Sequence, residues 1–166
     1  MTDAAKLIKQ AGALVARLEQ LLPQEAPPTE WGASIAFRWR KKNGKGTIEP
    51  VRHVHRIALR DLQGIDSQKQ LVERNTRQFV EGHPANNVLL TGARGTGKSS
   101  LIKALLDKYA PKGLRLIEVE KHDLVDLPDI VDRIAERPER FMLYCDDLSF
   151  ESGEAGYKAL KVVLDG

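Results

Sequence analysis

Apolar residues recur at helical spacing in five stretches of the chain. In the first, which runs to about Leu22, the apolar residues are spaced four, three, four and three positions apart: Leu7, Ala11, Leu14, Leu18 and Leu21. This is the rhythm of a coiled-coil seam, but two heptads are also what an amphipathic helix packed on its own domain would show. The other stretches predict helices over residues 67–81, from Leu101 to Tyr109, over residues 127–135, and around Tyr157 to Leu164.

Shorter stretches have the pattern of β-strands. Ile35, Phe37 and Trp39 alternate with polar or small residues, and Asn43-Gly44 follows them as a strong hairpin-turn dipeptide. Three apolar-rich stretches also predict strands: a short buried strand at residues 87–90, a second strand at residues 114–119 and a third, fully buried strand at residues 141–145. Strands separated by helices predict an α/β fold, in which a parallel sheet has helices on both faces. We divide the chain into an N-terminal helix with a proline-rich linker (1–30), a basic β hairpin (31–60) and an α/β core (61–166).

Composition narrows the class of protein. With 166 residues, of which 42% are hydrophobic and 30% charged, the chain resembles an ordinary globular protein. No apolar run approaches the roughly 18 to 20 residues of a membrane span, and the first residues do not form a signal peptide. We therefore expect no membrane partner. Cys145 is the only cysteine, which excludes an intrachain disulfide and favours the reducing cytoplasm.

The basic residues are unevenly distributed. Residues 1–91 have a net charge of +5, whereas residues 92–166 have a net charge of −2. Eight Lys or Arg residues fall between positions 38 and 60, against the single acid Glu49. Because they are interleaved with Phe37 and Trp39, they predict either a surface that contacts a nucleic-acid backbone and stacks bases, or a solvated basic face over an apolar strand.

The most specific chemical signal is a segment at residues 92–99, here called the glycine loop. It matches the pattern G-x-x-x-x-G-K-[ST] at every fixed position, with the residues Gly92, Ala93, Arg94, Gly95, Thr96, Gly97, Lys98 and Ser99, followed by Ser100. Glycines permit positive φ angles and a close approach to an anion, and successive N–H groups at a helix N-terminus form an anion-binding nest. In this pattern the lysine reaches the β- and γ-phosphates and the following hydroxyl ligates Mg²⁺.

A second set of candidate residues follows the apolar run at 141–145. Asp146 and Asp147 stand at its end, and ligands in open α/β sheets bind beyond the carboxyl ends of the strands, so we expect both acids to face the glycine loop. Asp146 is the candidate for the Mg²⁺ shell, together with Ser99. Lys98 and Asp147 are the catalytic candidates. Asp147 occupies the place of a water-polarising Glu but is one methylene shorter, so its role as a base stays open.

Several segments together carry a family resemblance. They are Gly64-Ile65-Asp66, Asn75-Thr76, residues 84–90, the glycine loop with Ser100, residues 115–119 and residues 145–150. From about Trp39 to its last residue, the chain resembles a bacterial family of uncharacterised AAA+-type ATP-binding proteins. The resemblance implies a P-loop NTPase fold, ATP and Mg²⁺ as ligands, self-association into rings or clusters, and an adenine position beside residues 62–65, which include Gly64 and Ile65.

The resemblance also raises an expectation about completeness. AAA+ proteins continue with a sensor 1 strand between the two strands that bear the nucleotide site, an arginine finger and a helical lid. We therefore expect an AAA+-like sheet that is incomplete at its C-terminus. ATP and Mg²⁺ would bind to this chain, and hydrolysis would require the complete protein or assembly. The alternative is a nucleic-acid-binding module of the loader or helper type, which uses residues 38–60 and is switched by ATP.

Overall fold

The computed structural model describes residues 3–21, 28–42, 44–149 and 155–165. The helices are α1 (Asp3–Leu21), α2 (Asp66–Val80), α3 (Lys98–Tyr109), α4 (Leu127–Ile134) and α5 (Ala155–Asp165). The strands are β1 (Ala36–Lys42), β2 (Lys45–Pro50), β3 (Leu114–Glu118) and β4 (Arg140–Tyr144). The α/β class is confirmed. The helices predicted at 67–81 and 127–135 and the strands predicted at 114–119 and 141–145 are present, each displaced by no more than one residue at either end.

The four strands form one sheet in the order β2-β1-β3-β4. Strands β1, β3 and β4 run parallel, and β2 returns antiparallel beside β1. The hairpin that the sequence sets apart at residues 31–60 is therefore hydrogen-bonded into the same sheet as the core. Its register, with Phe37 opposite Ile117, brings the hairpin's apolar positions level with those of β3.

Two apolar clusters cover the two faces of the sheet. On one face α2 and α3 pack on the sheet through residues that include Val72, Leu101 and Leu105. On the other face α4 and α5 pack over Phe37 and Trp39. The alternation of side chains along β1 explains this division, because successive residues of a strand point to opposite faces. The helices on both faces agree with the layered arrangement predicted from the sequence.

The strand predicted at residues 87–90 is wrong. Residues 84–91 have no regular secondary structure. Val88 is 46% and Leu89 is 73% exposed, whereas Leu90 packs against the cluster under α2 and α3. A strand requires a hydrogen-bonded neighbour, and within the described sheet β4 pairs with β3 alone. The apolar run before the glycine loop thus lacks the partner that would make it a strand.

The first helix is present as predicted, and four of its large apolar side chains are exposed. Leu7, Ile8, Leu14 and Val15 are each more than half exposed, so these side chains are not packed on the α/β core. The side chains of Leu18 and Leu21, residues 22–27 of the linker and Asn43 of the hairpin turn lie outside the described residues. In the part of the chain that the structure describes, no helix has the length and apolar character needed to cross a membrane.

Candidate functional site

The glycine loop has the backbone that its glycines predict. Gly92, Gly95 and Gly97 have φ angles of 141°, 82° and 86°, a region that L-residues with a Cβ rarely adopt. Gly97 is the residue before the first turn of α3. Thr96 closes the loop from within, since its Oγ1 donates to the carbonyl oxygen of Ala93 at 2.8 Å. The loop therefore leads directly into the N-terminus of α3, where the first backbone N–H groups of a helix favour an anion.

Lys98 folds back over the glycine loop. Its Nζ donates to the carbonyl oxygens of Gly92 at 2.9 Å and Ala93 at 2.8 Å. An ammonium group has three donors, so a third remains for an anion at the same place. Arg94 is exposed at the turn of the loop, and Ser100 is half-buried in the first turn of α3. The loop thus holds a positive charge against its own backbone.

The two halves of the predicted site meet at Ser99 and Asp146. The Ser99 Oγ donates to Asp146 Oδ2 at 2.9 Å, although the residues are 47 positions apart in the chain. The second carboxylate oxygen, Oδ1, accepts the backbone N–H of Asp147 at 3.0 Å. Burial acts to raise the pKa of Asp146, but the hydrogen bonds from Ser99 and the Asp147 amide, together with the polar Tyr144 hydroxyl and the Lys98 charge, outweigh it and hold the pKa below its ordinary value. Asp146 is therefore ionised at neutral pH.

Asp147 has an unusual backbone. Its φ is 49°, the one positive φ at a non-glycine residue among the described residues. Asp tolerates the left-handed region better than most residues, at a cost of roughly 1 kcal/mol. The turn at Asp147 aims its N–H at Asp146 and so fixes the Asp146 carboxylate. Its side chain is exposed, and its role as a base stays a prediction.

Tyr144 is a site residue that the sequence reasoning missed. The sequence pattern assigns it only to a buried strand, but it lies two residues before Asp146 at the end of β4. Burial first, and then the charge of the Asp146 carboxylate, raise the pKa of Tyr144 to about 12. A signal was available, because positions two apart on a strand share one face.

The segment expected beside an adenine lies at the start of α2. Gly64 has a φ of 73°, and Ile65 is the residue before the helix. Leu62 and Ile65 pack in the cluster that contains Leu101 of α3. This packing joins the segment to the helix of the glycine loop, and the contact with a base stays a prediction.

The chain matches the family model described as "Protein of unknown function (DUF815)" over residues 32–166. The chain belongs to the DUF815 family. No curated protein and no solved structure matches it. The DUF815 match includes the hairpin, the glycine loop and Asp146, and it excludes α1, so the candidate site lies entirely in the part of the chain that defines the family.

The basic residues of this DUF815 chain's β1 are engaged with acids. Arg38 lies 2.6 Å from Glu118, Arg40 lies 2.7 Å from Glu120, Lys41 lies 2.9 Å from Asp126, and Lys42 lies 2.7 Å from Glu49. Phe37 and Trp39, the two expected stacking platforms, are 0% and 1% exposed and belong to the core. Nucleic-acid bases therefore cannot stack on these two buried rings.

Proposed function

We propose that this chain binds ATP together with Mg²⁺ at the glycine loop. The contact between Ser99 and Asp146 carries the proposal. A hydroxyl at the start of α3 and a carboxylate beyond β4 share a hydrogen bond of 2.9 Å. A glycine-rich turn alone has no need of such a partner, whereas a phosphate-bound Mg²⁺ takes oxygen ligands from one or two protein groups, such as this hydroxyl and carboxylate.

The phosphate side of the proposal rests on the loop and Lys98. The backbone N–H groups at the N-terminus of α3 and the partial positive charge of that helix favour an anion. Lys98 is held over the loop by two carbonyl oxygens, at 2.9 and 2.8 Å, and an ammonium so placed attracts the same anion. The choice of adenine over other bases rests on the resemblance to AAA+-type proteins.

The residues present also fit a magnesium ion. Mg²⁺ takes six oxygen ligands and in phosphate sites uses one or two protein groups, with phosphates and water for the rest. Ser99 and the ionised Asp146 supply those two oxygens, and bound Mg²⁺ would neutralise charge on the phosphates. Asp147 is the candidate for orienting a water molecule.

The test is the Mg²⁺ dependence of nucleotide binding. A fluorescent ATP analogue is titrated onto the unchanged chain, Ser99→Ala and Asp146→Asn, each with excess Mg²⁺ and with EDTA. We expect Mg²⁺ to strengthen binding to the unchanged chain about tenfold, which is about 1.4 kcal/mol. Both variants should lose this gain and keep the affinity measured in EDTA, because Ser99→Ala removes an oxygen ligand and Asp146→Asn replaces the charged carboxylate with a neutral amide, and neither changes the loop backbone.

The control is Asp129→Asn, which removes an exposed carboxylate from α4 on the other face of the sheet. It should behave like the unchanged chain. A saturable affinity that is identical with Mg²⁺ and EDTA in the unchanged chain would refute the magnesium part of the proposal. Absence of any binding would refute the whole.

A further inference from the structure

Residues 52–60, here called the basic segment, join β2 to α2 and have no helix or strand before the short turn at Leu59–Asp61. Apolar side chains recur there at every third position, since Val51, Val54 and Ile57 are partly buried against the cluster under α2 and α3. The exposed side chains of the segment are all guanidinium or imidazole groups: Arg52, His53, His55, Arg56 and Arg60. The basic segment is therefore anchored by one set of side chains and presents the other set to solvent.

The cations of the basic segment are weakly paired. Arg56 lies 3.6 Å from Asp107 and is 76% exposed. Arg60 lies 3.9 Å from Asp61 and is 90% exposed. Arg52 has no ion-pair partner in the part of the chain that the structure describes. The cations of β1, by contrast, lie 2.6 to 2.9 Å from acids. Because exposed ion pairs contribute little, three guanidinium groups of the segment remain for an external anion.

A cavity of about 270 Å³ adjoins the end of the basic segment. It lies between the segment and α3, and its walls are Ala58, Leu59, Arg60, Ala104, Asp107 and Lys108. Pockets for drug-sized ligands measure about 300 to 1,000 Å³, so this cavity suits a smaller group. A single nucleobase is such a group. The alanine and leucine side chains offer apolar contact to its ring, and the Asp107 carboxylate can accept a hydrogen bond from its amino group.

These two features together fit an unpaired nucleic-acid strand. Contacts between cations and phosphates supply most of the sequence-independent affinity for nucleic acids. A base can enter the cavity only when it leaves the stack, which costs more in a duplex than in a single strand. His53 and His55 add two exposed rings on which neighbouring bases can stack. A run of acidic side chains would satisfy the cations but has no flat, hydrogen-bonding group for the cavity.

We propose that the basic segment binds single-stranded nucleic acid, with phosphates on Arg52, Arg56 and Arg60 and one base in the cavity beside α3. This inference goes beyond the proposed function and does not rest on it. The cavity adjoins the C-terminal half of α3, whereas the glycine loop leads into the N-terminus of the same helix. Binding of the strand therefore needs neither ATP nor Mg²⁺.

The first experiment measures the salt dependence of binding by fluorescence anisotropy. A labelled single strand of mixed sequence, about 20 nucleotides long, is titrated with the unchanged chain and with Arg52→Gln/Arg60→Gln at about 50 to 200 mM salt. We expect the double variant to bind about tenfold more weakly at the lowest salt. The slope of log affinity against log salt should also fall by about 1 to 2, since each phosphate contact on a single strand contributes about 0.7.

The matched control is Lys158→Gln/Lys161→Gln, which removes two exposed cations from α5 on the other face of the sheet. It should keep the affinity and the salt slope of the unchanged chain. Both double variants should keep its melting temperature, because all four side chains are exposed.

The second experiment tests the cavity by competition against the labelled strand. The competitors are the unlabelled single strand, the duplex of the same sequence, an abasic strand of the same length and polyglutamate. We expect the single strand to compete at least about fivefold better than each of the others, as suits the binding of one base.

Four results would overturn the inference. Absence of saturable binding, or an equal salt slope in the two double variants, would exclude the basic segment as the phosphate contact. Equal competition by the abasic strand would exclude a base from the cavity. Equal competition by the duplex would exclude a preference for unpaired strands. Polyglutamate that competes as well as the single strand would assign the surface to an acidic protein instead. None of these results bears on binding of the ATP analogue at the glycine loop.

Discussion

Substitution of Gly46 by Ala tests the packing of the hairpin against the core. A Cβ built on Gly46 would lie 1.7 Å from Cζ2 and 2.2 Å from Cη2 of the Trp39 indole. Carbon atoms at rest are about 3.5 to 4.0 Å apart, so the ring would have to withdraw by about 2 Å. The indole has no room to do so, because it is 1% exposed and its Nε1 donates to Asp126 Oδ2 at 3.0 Å.

The cost can be bracketed from these contacts. Overpacking of a core site costs about 1 to 3 kcal/mol, and complete loss of a buried Trp or Phe costs about 3 to 5 kcal/mol. Gly46→Ala forces a large movement of Trp39 but keeps the side chain. We therefore expect a loss of about 3 kcal/mol in the free energy of unfolding, from a total that is about 5 to 15 kcal/mol for a typical domain.

Urea denaturation followed by tryptophan fluorescence and circular dichroism measures this loss. Gly32→Ala is the control for adding a methyl group, because nothing lies within 4 Å of its Cβ position. Gly44→Ala separates backbone strain from collision, since Gly44 has open space but a φ of 75°, which costs about 1 to 2 kcal/mol. A Gly46→Ala value within about 0.5 kcal/mol of the Gly32→Ala value would refute the placement of Trp39 over the hairpin.

Three further substitutions test the neighbourhood of the glycine loop and the contact between α2 and α3. Asn75 of α2 forms two hydrogen bonds with the backbone of Asn86, at 2.8 and 2.9 Å. Asn75→Ala should therefore speed amide hydrogen exchange over residues 84–97, and unchanged exchange there would show that Asn75 does not anchor this segment. Tyr109→Phe should cost about 1 to 2 kcal/mol in urea denaturation, because the buried Tyr109 hydroxyl donates to Glu73; a cost below 0.5 kcal/mol would exclude that bond. Hydrogen bonds from Tyr109 and then Lys108 outweigh burial and lower the pKa of Glu73. The contribution of ionised Glu73 to the stability of the fold is therefore present above the unfolded-state pKa, and it is lost as the pH falls through the folded-state pKa. Glu73→Gln should therefore flatten the fall in stability below about pH 4.5, and an unaltered acid profile would show that Glu73 is not the group responsible.

Local patterns predicted most of the elements, because the helices have an apolar periodicity of their own and the strands have short apolar runs or alternation. Residues 87–90 are the exception. Their apolar run has the composition of a buried strand, but a strand must pair with a neighbouring strand of the sheet. Among the described residues no strand pairs with this run, and Val88 and Leu89 are therefore exposed. Periodicity describes one segment, whereas strand formation is a property of two.

The candidate site shows the same division between local and non-local information. The loop geometry follows from the glycines, and the meeting of Ser99 with Asp146 follows from the rule that ligands gather at the carboxyl ends of parallel strands. The neutralisation of Arg38 by Glu118 could not be predicted, because the two residues are 80 positions apart and their register is set by the pairing of β1 with β3. By composition alone, the basic residues of β1 resemble a polyanion-binding surface. In the structure these residues are paired with acids.

Equilibrium binding of a fluorescent ATP analogue to Lys98→Ala, measured with Mg²⁺ beside the unchanged chain, tests the central proposal most directly. Lys103→Ala is the matched control, because Lys103 is an exposed lysine of the same helix that is not part of the glycine loop. We predict saturable binding to the unchanged chain and to Lys103→Ala, and a loss of at least about tenfold in affinity for Lys98→Ala, which is about 1.4 kcal/mol. Equal affinity in all three proteins, or binding in none, would contradict a nucleotide site at the glycine loop.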